Sequence, residues 1–536
     1  MKKQVLCITI LFCCLAIVGQ NNKELFSVNK KTVSVSEFKR VYEKNLGLVV
    51  DEDSKDIDKY LDLYINYKLK VNEAYALGLD TVSAYKRELE GYKKQLIAPY
   101  LQDQESINRL VKEAYFRVKN EVKASHILVR LPKRARSSDT LKAYNKIIEI
   151  RNRVVSGESF AKVAREVSED PSAEFNGGNL GYFSAFKMVY PFEDNAYKTN
   201  LNGVSNPFKT RFGYHILKVT GKRKSKGEFE VAHILARDRS IVGKAKIDSL
   251  YKKIKNGKSF EEIAKKYSED VGTAQIGGRL PKFGTGKMVE DFEKNVLKLK
   301  IINEVSKPFK TKFGWHIVKL VKNYPIASFE EMKVSIEKKI KSSDRLRVSQ
   351  TAVLNKLKKE YDVRVYDKNL ELFTNKSIDE LSKMQLAQDN VLAINDKKIK
   401  QKAFYDYIKY RKKEDVTLLF ERFKNEEIFN YFKEDLINRE PEFRHTLTEY
   451  KEGLLLFELM QQKIWNKSAN DSIGLQRFFD ETKEKYKQKE LEDVKGEVIS
   501  DYQKKLEDDW IQNLRKNNVI RIRKREVKKL KQTYNQ

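Results

Sequence analysis

The sequence predicts an α+β chain in which two small mixed domains stand in tandem among mostly helical modules. Three observations carry this expectation. A block of sequence occurs twice, as "GESFAKVAREVSEDPSAEFNGGNLGYFSAFKMVYPFED" (157–194) and "GKSFEEIAKKYSEDVGTAQIGGRLPKFGTGKMVEDFEK" (257–294), with an Asp, a Gly-Gly and a Met-x-x-x-Phe in register. The segments on either side hold a second, weaker repeat of strand, turn, strand and helix, with long helices that lead into short strands. At 536 residues the chain is too long for one core.

Within each copy the elements follow one order. A strand ending in His-Ile-Leu opens it, "VKASHILVRL" (122–131) and "FEVAHILARD" (229–238). Amphipathic helices follow, "TLKAYNKIIEIRNRVVSG" and "GKAKIDSLYKKIKNG", then shorter ones, "SFAKVAREVS" and "SFEEIAKKYS", each opened by a Ser able to cap it. Next come Ser-Glu-Asp, a glycine turn and a short strand. The copies close on "VSNPFKTRFGYHILKV" (204–219) and "VSKPFKTKFGWHIVKL" (305–320), whose last residues alternate like a half-buried strand. The copies also differ. Copy one has a longer basic loop, "RLPKRARSSD" (130–139), and places Phe186 where copy two has Gly286. Copy two has Pro281 where copy one has Gly181, which fixes φ and removes a backbone donor.

A weaker repeat surrounds the first. "LFSVNKKTVSVSEFKRVYEKN" (25–45) is like "VLAINDKKIKQKAFYDYIKYRKK" (391–413): strand, turn, strand, helix. "SFEEMKVSIEKKI" (328–340) and "ELEDVKGEVISDY" (490–502) each lead through a long helix into a short strand, "YDVRVY" (361–366) and "NVIRIR" (518–523). This pattern predicts one helical module of residues 22–120 completed by 326–373, interrupted by domains at 121–222 and 228–323. It predicts a second, uninterrupted module at 388–536.

Residues 1–20, "MKKQVLCITILFCCLAIVGQ", have two lysines, an apolar run and small residues, the pattern of a secretory signal peptide and too short for a comfortable membrane span. A buried strand is the alternative. Cys7, Cys13 and Cys14 all fall inside this segment and none sits in a good lipoprotein cleavage box, so an exported, processed chain would have no cysteine. Disulfides, thiolate nucleophiles and Cys-ligated metals are then excluded. The net charge of +31 raises a nucleic-acid partner, but lysines are interleaved with Asp and Glu, as in "KKEYDVRVYDKNLELF" (358–373), which reads as solvated helix faces. No nucleic-acid partner is expected. Only "RKNNVIRIRKREVKKLKQ" (515–532) is densely basic, and it offers either peripheral contact with an anionic membrane or an ordinary solvated end.

The ordered set His-Ile-Leu, Ser-Glu-Asp, Gly-Gly-x-Leu, Met-x-x-x-Phe and Phe-Gly-Tyr/Trp-His resembles the parvulin family of peptidyl-prolyl cis–trans isomerases, across essentially all of 121–222 and 228–323. The flanks resemble, more loosely, the helical chaperone domain of SurA-type periplasmic isomerases. The resemblance implies a four-stranded antiparallel sheet wrapped by helices, no cofactor, and unfolded or proline-containing polypeptide clients, secreted or outer-membrane proteins, in a periplasm. The chemistry agrees. Rotation about X-Pro faces a barrier of about 20 kcal/mol and breaks no bond, so an apolar slot and polar groups favouring the twisted amide suffice.

Met188 and Phe192 are four apart and share a helical face. By the resemblance they line a proline pocket with Leu180, walled by Phe212; Leu280, Met288, Phe292 and Phe313 match them in copy two. Asp170 and Asp270 match the family's position beside the substrate amide. His126 with His215, and His233 with His316, match its paired strand histidines. From the residues alone, each His pair equally suits a buried structural contact with its partner or with a Thr or Ser, and each Asp a turn carboxylate. No zinc-type helical motif is present, so no metal is expected. Two function classes remain: an exported isomerase with chaperone arms, or a holdase whose doubled domains bind peptide without turnover.

Overall fold

The computed structural model describes residues 23–47, 55–132, 135–375, 378–382, 388–411, 414–487 and 489–534. The expected signal segment 1–20, and Lys133 and Arg134 of the basic loop, lie outside them. The described strands are β1 (Glu24–Val28), β2 (Lys31–Ser34), β3 (Asn120–Arg130), β4 (Asn179–Phe183), β5 (Phe208–Thr210), β6 (Gly213–Lys224), β7 (Glu228–Ala236), β8 (Phe283–Gly284), β9 (Phe309–Thr311), β10 (Gly314–Tyr324), β11 (Val363–Val365), β12 (Asn390–Ile394), β13 (Lys397–Lys400) and β14 (Ile520–Ile522). The chain forms two compact units: one from its ends, up to Ala98 and from Asp435 on, the other from Pro99–Glu434.

The doubled block forms two four-stranded antiparallel sheets of identical order, β4-β3-β6-β5 and β8-β7-β10-β9. Alternation along β3 and β6 gives each sheet two covered faces. In copy one Ile127, Val129 and Ile216 pack under the helices Ser137–Val155 and Phe160–Val167. On the opposite face Val122, Ala124, Leu217 and Val219 meet Phe183 and Phe192, the latter from the helix Tyr190–Lys198. The same division recurs in copy two. Beside Pro281 the ladder is interrupted: copy two keeps Phe229↔Phe283 and the bridge Ala232↔Arg279, the counterparts of Val122↔Phe183 and Ser125↔Asn179, but lacks the middle pair that copy one makes at Lys123↔Tyr182. In the same unit the helix Gln104–Lys119 packs on Phe329–Lys341 through Ile107, Leu110, Ala114, Ile336 and Ile340.

The helical modules are assembled differently from the expectation. β1 and β2 do not take residues 361–366 as their third strand; they pair with β14, through Phe26↔Ile522 and Val28↔Ile520. Conversely β12–β13, expected within an uninterrupted 388–536 module, pair with β11 through Val363↔Ile394 and Val365↔Leu392. Of the segment 22–120, the helix Gln104–Lys119 joins residues 329–341, in the central unit. The two hairpins are alike, and so are the two short strands, so periodicity cannot choose between the pairings. Loop-closure entropy favours joining β11 to the nearby β12.

In the unit built from the chain ends, Leu25, Phe26, Val28, Phe38, Tyr42, Ile65 and Leu69 form a core closed by Leu514, Val527 and Leu530. The basic tail is therefore a folded element. Arg515 donates to Asn66 and Asp62, Arg523 pairs with Glu24, and Lys531 pairs with Asp58. No helix among the described residues is long and apolar enough to cross a membrane.

Candidate active site

In copy one, β3 and β6 pair in the register His126↔Leu217 and Leu128↔His215, so the two histidines are diagonal neighbours on one sheet face. Their rings lie 5.6 Å apart, 18° from parallel, and their Nδ1 atoms are 3.4 Å apart. Asp170 follows the helix Phe160–Val167, where Glu169 N–H bonds Leu128 O and holds the segment on β3. Its Oδ2 is 2.7 Å from His126 Nε2, and its Oδ1 accepts from the Ser172 N–H and hydroxyl at 3.0 and 3.1 Å. At the far end His215 Nε2 is 2.8 Å from Thr210 Oγ1, which accepts the Phe212 N–H.

One proton order satisfies this chain. The Asp170 carboxylate can only accept, so His126 Nε2 carries the proton and its Nδ1 is an acceptor. His215 Nδ1 then donates to it, leaving His215 Nε2 to accept from the Thr210 hydroxyl. Both histidines are neutral in this arrangement. Burial, then the neighbouring His126, push His215 down to about 3. Burial also lowers His126 against the pull of Asp170. Partial burial pushes the Asp170 carboxyl up, but the bonds from Ser172 and His126 outweigh it and hold it below the usual range.

An aromatic box surrounds the pair. Phe192 presents its edge to His126 and His215 at 5.5 and 5.6 Å, and Phe208 stacks on His215 at 5.5 Å. Leu180 and Met188, partly buried, pack on the same cluster. The structure thus brings His126, His215, Asp170, Leu180, Met188 and Phe192 into one neighbourhood. Phe212 is not part of that cluster: it sits on the β5–β6 turn, 49% exposed, beneath the Arg211 guanidinium. The Gly-Gly is required here, because a Cβ on Gly178 (φ 77°) would come within 2.3 Å of the His126 carbonyl oxygen.

Copy two repeats the arrangement with a break. His233 Nε2 is 2.7 Å from Asp270 Oδ2, and Thr311 Oγ1 is 2.8 Å from His316 Nε2. The rings stack at 5.8 Å, yet Nδ1 of His233 and of His316 are buried without a hydrogen-bond partner. Ser172 has Gly272 as its counterpart, and the hydroxyl comes instead from Thr273, one residue on, which donates to Asp270 Oδ2 and lies 3.2 Å from His233 Nε2. Burial, then His233, push His316 down to about 4. Phe292, Leu280 and Met288 share the pocket cluster, while Phe313 is 55% exposed under Lys312.

Sequence reasoning missed Thr210, Thr311, Phe208, Phe309, Ser172 and Thr273. For four of these the signal was present: "PFKT" recurs in register ahead of both closing histidines. No cluster of metal-ligating residues occurs among the described residues.

Apart from both sites, the unit of chain ends contains a cavity of about 870 Å³ between β2 and the helices Val35–Leu46, Ile57–Ala76 and Pro441–Met460. Tyr60, Tyr64, Tyr67, Tyr75 and the exposed Leu63 line it. Lys68 bridges Glu37 and Glu452 at 2.9 Å across it, and Arg40 and Lys44 hold Glu449. β2 is a sheet edge and runs along its wall.

Comparison with known proteins agrees with this geometry. The PPIC-type PPIASE domain is matched twice, over residues 106–223 and 234–322. Chaperone SurA of Saccharophagus degradans is 33% identical over 216 residues, 39% of this chain and 50% of that protein. Foldase protein PrsA of a Geobacillus species (strain WCH70) is 34% identical over 245 residues, 43% of this chain and 79% of that protein. The crystal structure of PrsA from Bacillus anthracis aligns at 32% identity over 24% of this chain and 60% of that one, with a TM-score of 0.19. The chain thus spans about half the length of the SurA relative but most of the PrsA relative. Together with two sheets of one topology and a repeated Asp–His–His–Thr constellation, the doubled domain match and the Geobacillus PrsA relative place the chain in the parvulin, or PPIC-type, family of peptidyl-prolyl cis–trans isomerases.

Proposed function

We propose that the protein is an exported peptidyl-prolyl cis–trans isomerase that also holds unfolded polypeptide, serving secreted or outer-membrane proteins in a periplasm. Its isomerase domains are residues 121–222 and 228–323. The observation that carries the reading is the apolar slot of Leu180, Met188 and Phe192 beside the Asp170–His126–His215–Thr210 chain. Export is supported by the pattern of residues 1–20.

The chemistry follows from the charges. A planar amide gains from the resonance form with negative oxygen and a C=N bond. An apolar slot around the pyrrolidine ring removes the water that favours that form. A carboxylate beside the carbonyl oxygen repels its charge. Both raise the planar ground state relative to the twisted amide. Asp170 is held ionised by Ser172 and His126, and the neutral histidines keep it oriented without cancelling its charge. No nucleophile and no proton transfer to substrate are needed.

The test is protease-coupled isomerisation of a short X-Pro peptide by the processed chain, by Asp170→Ala/Met188→Ala, and by Asp270→Ala/Met288→Ala. Acceleration abolished by one double variant establishes turnover and identifies the working copy. No acceleration by the unaltered chain, with aggregation of an unfolded client still suppressed, establishes the second reading, a holdase without turnover. That reading is favoured by the interrupted His233–His316 contact and by the tyrosine-lined cavity with its open β2 edge, onto which an extended client could add as a strand. Peripheral membrane contact through the tail has less support, since Arg515, Arg523 and Lys531 are engaged by Asp62, Glu24 and Asp58.

A further inference from the structure

The substitution of Phe186 for Gly286 is the place where the two copies differ most without an explanation from the isomerase chemistry. Phe186 has φ 65°, a left-handed conformation that a bulky residue adopts only at a cost. It lies in the turn between β4 and the helix Tyr190–Lys198, two residues before Met188. Its ring packs on the Ile107–Leu110–Ile336–Ile340 cluster of the neighbouring helices. The guanidinium of Arg345 lies 4.1 Å from the ring centre and 5.0 Å from that of Tyr190. The Phe186 N–H donates to Glu193 Oε2 at 2.8 Å.

Glu193 directly follows the pocket residue Phe192 and is fully buried. Its Oε1 accepts from Arg117 Nη1 at 3.1 Å and from Arg345 Nη2. Arg345 is 1% exposed, and Asp344 beside it accepts the Tyr190 N–H at 3.1 Å. Residues 344–345 lie between the helices Phe329–Lys341 and Leu346–Glu360, far outside copy one in sequence.

Copy two provides the internal comparison. Glu293 holds the same place, and its Oε1 accepts the Lys287 and Met288 N–H groups at 3.0 Å each. Gly286 takes its left-handed turn (φ 82°) without strain. No arginine bonds Glu293 among the described residues, and burial pushes its carboxyl up. The same glutamate therefore ties the Met-bearing turn in both copies, but only in copy one is it gripped from another part of the chain.

We propose that Arg345 is a positioning residue for copy one: through Glu193 and Phe186 it sets the Met188 turn, so that the proline pocket of copy one, and not that of copy two, is held in shape by the helical bundle around residues 104–119 and 329–360. The proposal rests on reading copy one as a proline-binding site. It makes the duplicated domains unequal: copy one is clamped to the bundle, whereas the turn of copy two, among the described residues, meets only copy one, through Lys123–Glu290 and Arg223–Thr285.

The experiment uses the full processed chain carrying Asp270→Ala/Met288→Ala, so that only copy one reports. Adding Arg345→Met is expected to raise KM for an X-Pro peptide about tenfold, with kcat changing less than about threefold, because ground-state and twisted amide lose the same pocket. Arg345→Lys should recover only part, since it keeps the charge and loses the fork and the stacking. Arg345→Met with Glu193→Gln should return KM to within about threefold, because the buried carboxylate that has lost one of its two guanidinium partners is removed and the Phe186 N–H keeps an acceptor. In the complementary Asp170→Ala/Met188→Ala chain, Arg345→Met should leave KM unchanged. An unaltered KM in the first background, or equal losses in both, overturns the proposal. If the starting chain shows no turnover while the unaltered chain does, copy two is the working isomerase; if neither turns over, the isomerase reading fails separately. The same pattern is then sought in the dissociation constant of a fluorescent X-Pro peptide, and its absence there overturns the positioning role.

Discussion

His215 and His316 are buried as neutral rings and titrate far below an exposed imidazole, at about 3 and about 4 against an ordinary 6.5. Below pH 6.5 the unfolded chain binds protons that the native chain refuses. Stability is therefore fully present above about pH 7 and falls as the pH drops from 6.5 toward those values, by up to about 1.4 kcal/mol per pH unit for each histidine. Asp170 and Asp270 have lowered values, so they withdraw stability only below the usual carboxylate range of about 4. Urea unfolding of the 99–434 unit at pH 7.5, 6.0 and 5.0 should show this decline, already under way at pH 5.0, and a midpoint unchanged between 6.0 and 5.0 would refute it. These histidines were legible in the sequence because they recur at the same place in both copies. Thr210 and Phe208 recur just as faithfully, but a threonine and a phenylalanine on a short strand have an ordinary structural explanation, and only the coordinates distinguish a box wall from a strand residue.

Among the elements, β4 shows how one residue decides a strand. Gly181 has φ 69°, and its N–H bonds Asn179 Oδ1 at 2.9 Å. Proline can supply neither the angle nor the donor. Gly181→Pro should remove the Lys123↔Tyr182 pairing, destabilise copy one by about 3 kcal/mol or more, and leave Pro281 in copy two as the natural example of the shortened strand. Chemical denaturation compared with the unaltered chain measures this; a loss under about 1 kcal/mol would mean the turn has another way to close. The opening strand, the helices, the glycine turn with its short strand and the closing strand of each copy were legible because helix and strand periods alternate cleanly with glycine and proline between them. The three-residue strands Phe208–Thr210 and Phe309–Thr311 are too short to show a period. The partnering of the outer hairpins was not, since "LFSVNKKTVS" and "VLAINDKKIK" offer equivalent edges to equivalent strands.

For the whole molecule, the division into a unit of chain ends and a central unit predicts separable behaviour. Ending the chain after Asn517 removes β14 and the helix Lys524–Thr533, exposing the β1 edge and stripping Val527 and Leu530 from the core around Phe26 and Phe38. That variant should lose the unfolding transition of the unit of chain ends, while any X-Pro turnover of the central unit keeps its kcat/KM to within about twofold, because the two units have separate cores. Limited proteolysis combined with the peptide assay reads both. Loss of both together would show that the cores are not separate. The doubled domains account for most of what sequence could say at this scale. The pairing of the first strand with the last, which closes the other unit, carries no signal in periodicity or composition.

That pairing also sets an order of events during synthesis. β14 is made nearly five hundred residues after β1. At about 5–20 residues per second, the first hairpin waits roughly 25 to 100 s for its third strand. For the last part of that interval, after Tyr324 is made, the two isomerase domains have all their strands, while the core around Leu25, Phe26 and Val28 still lacks Leu514, Val527 and Leu530. A nascent chain of this protein therefore carries its own unfinished sheet edge until almost the last of its residues is made.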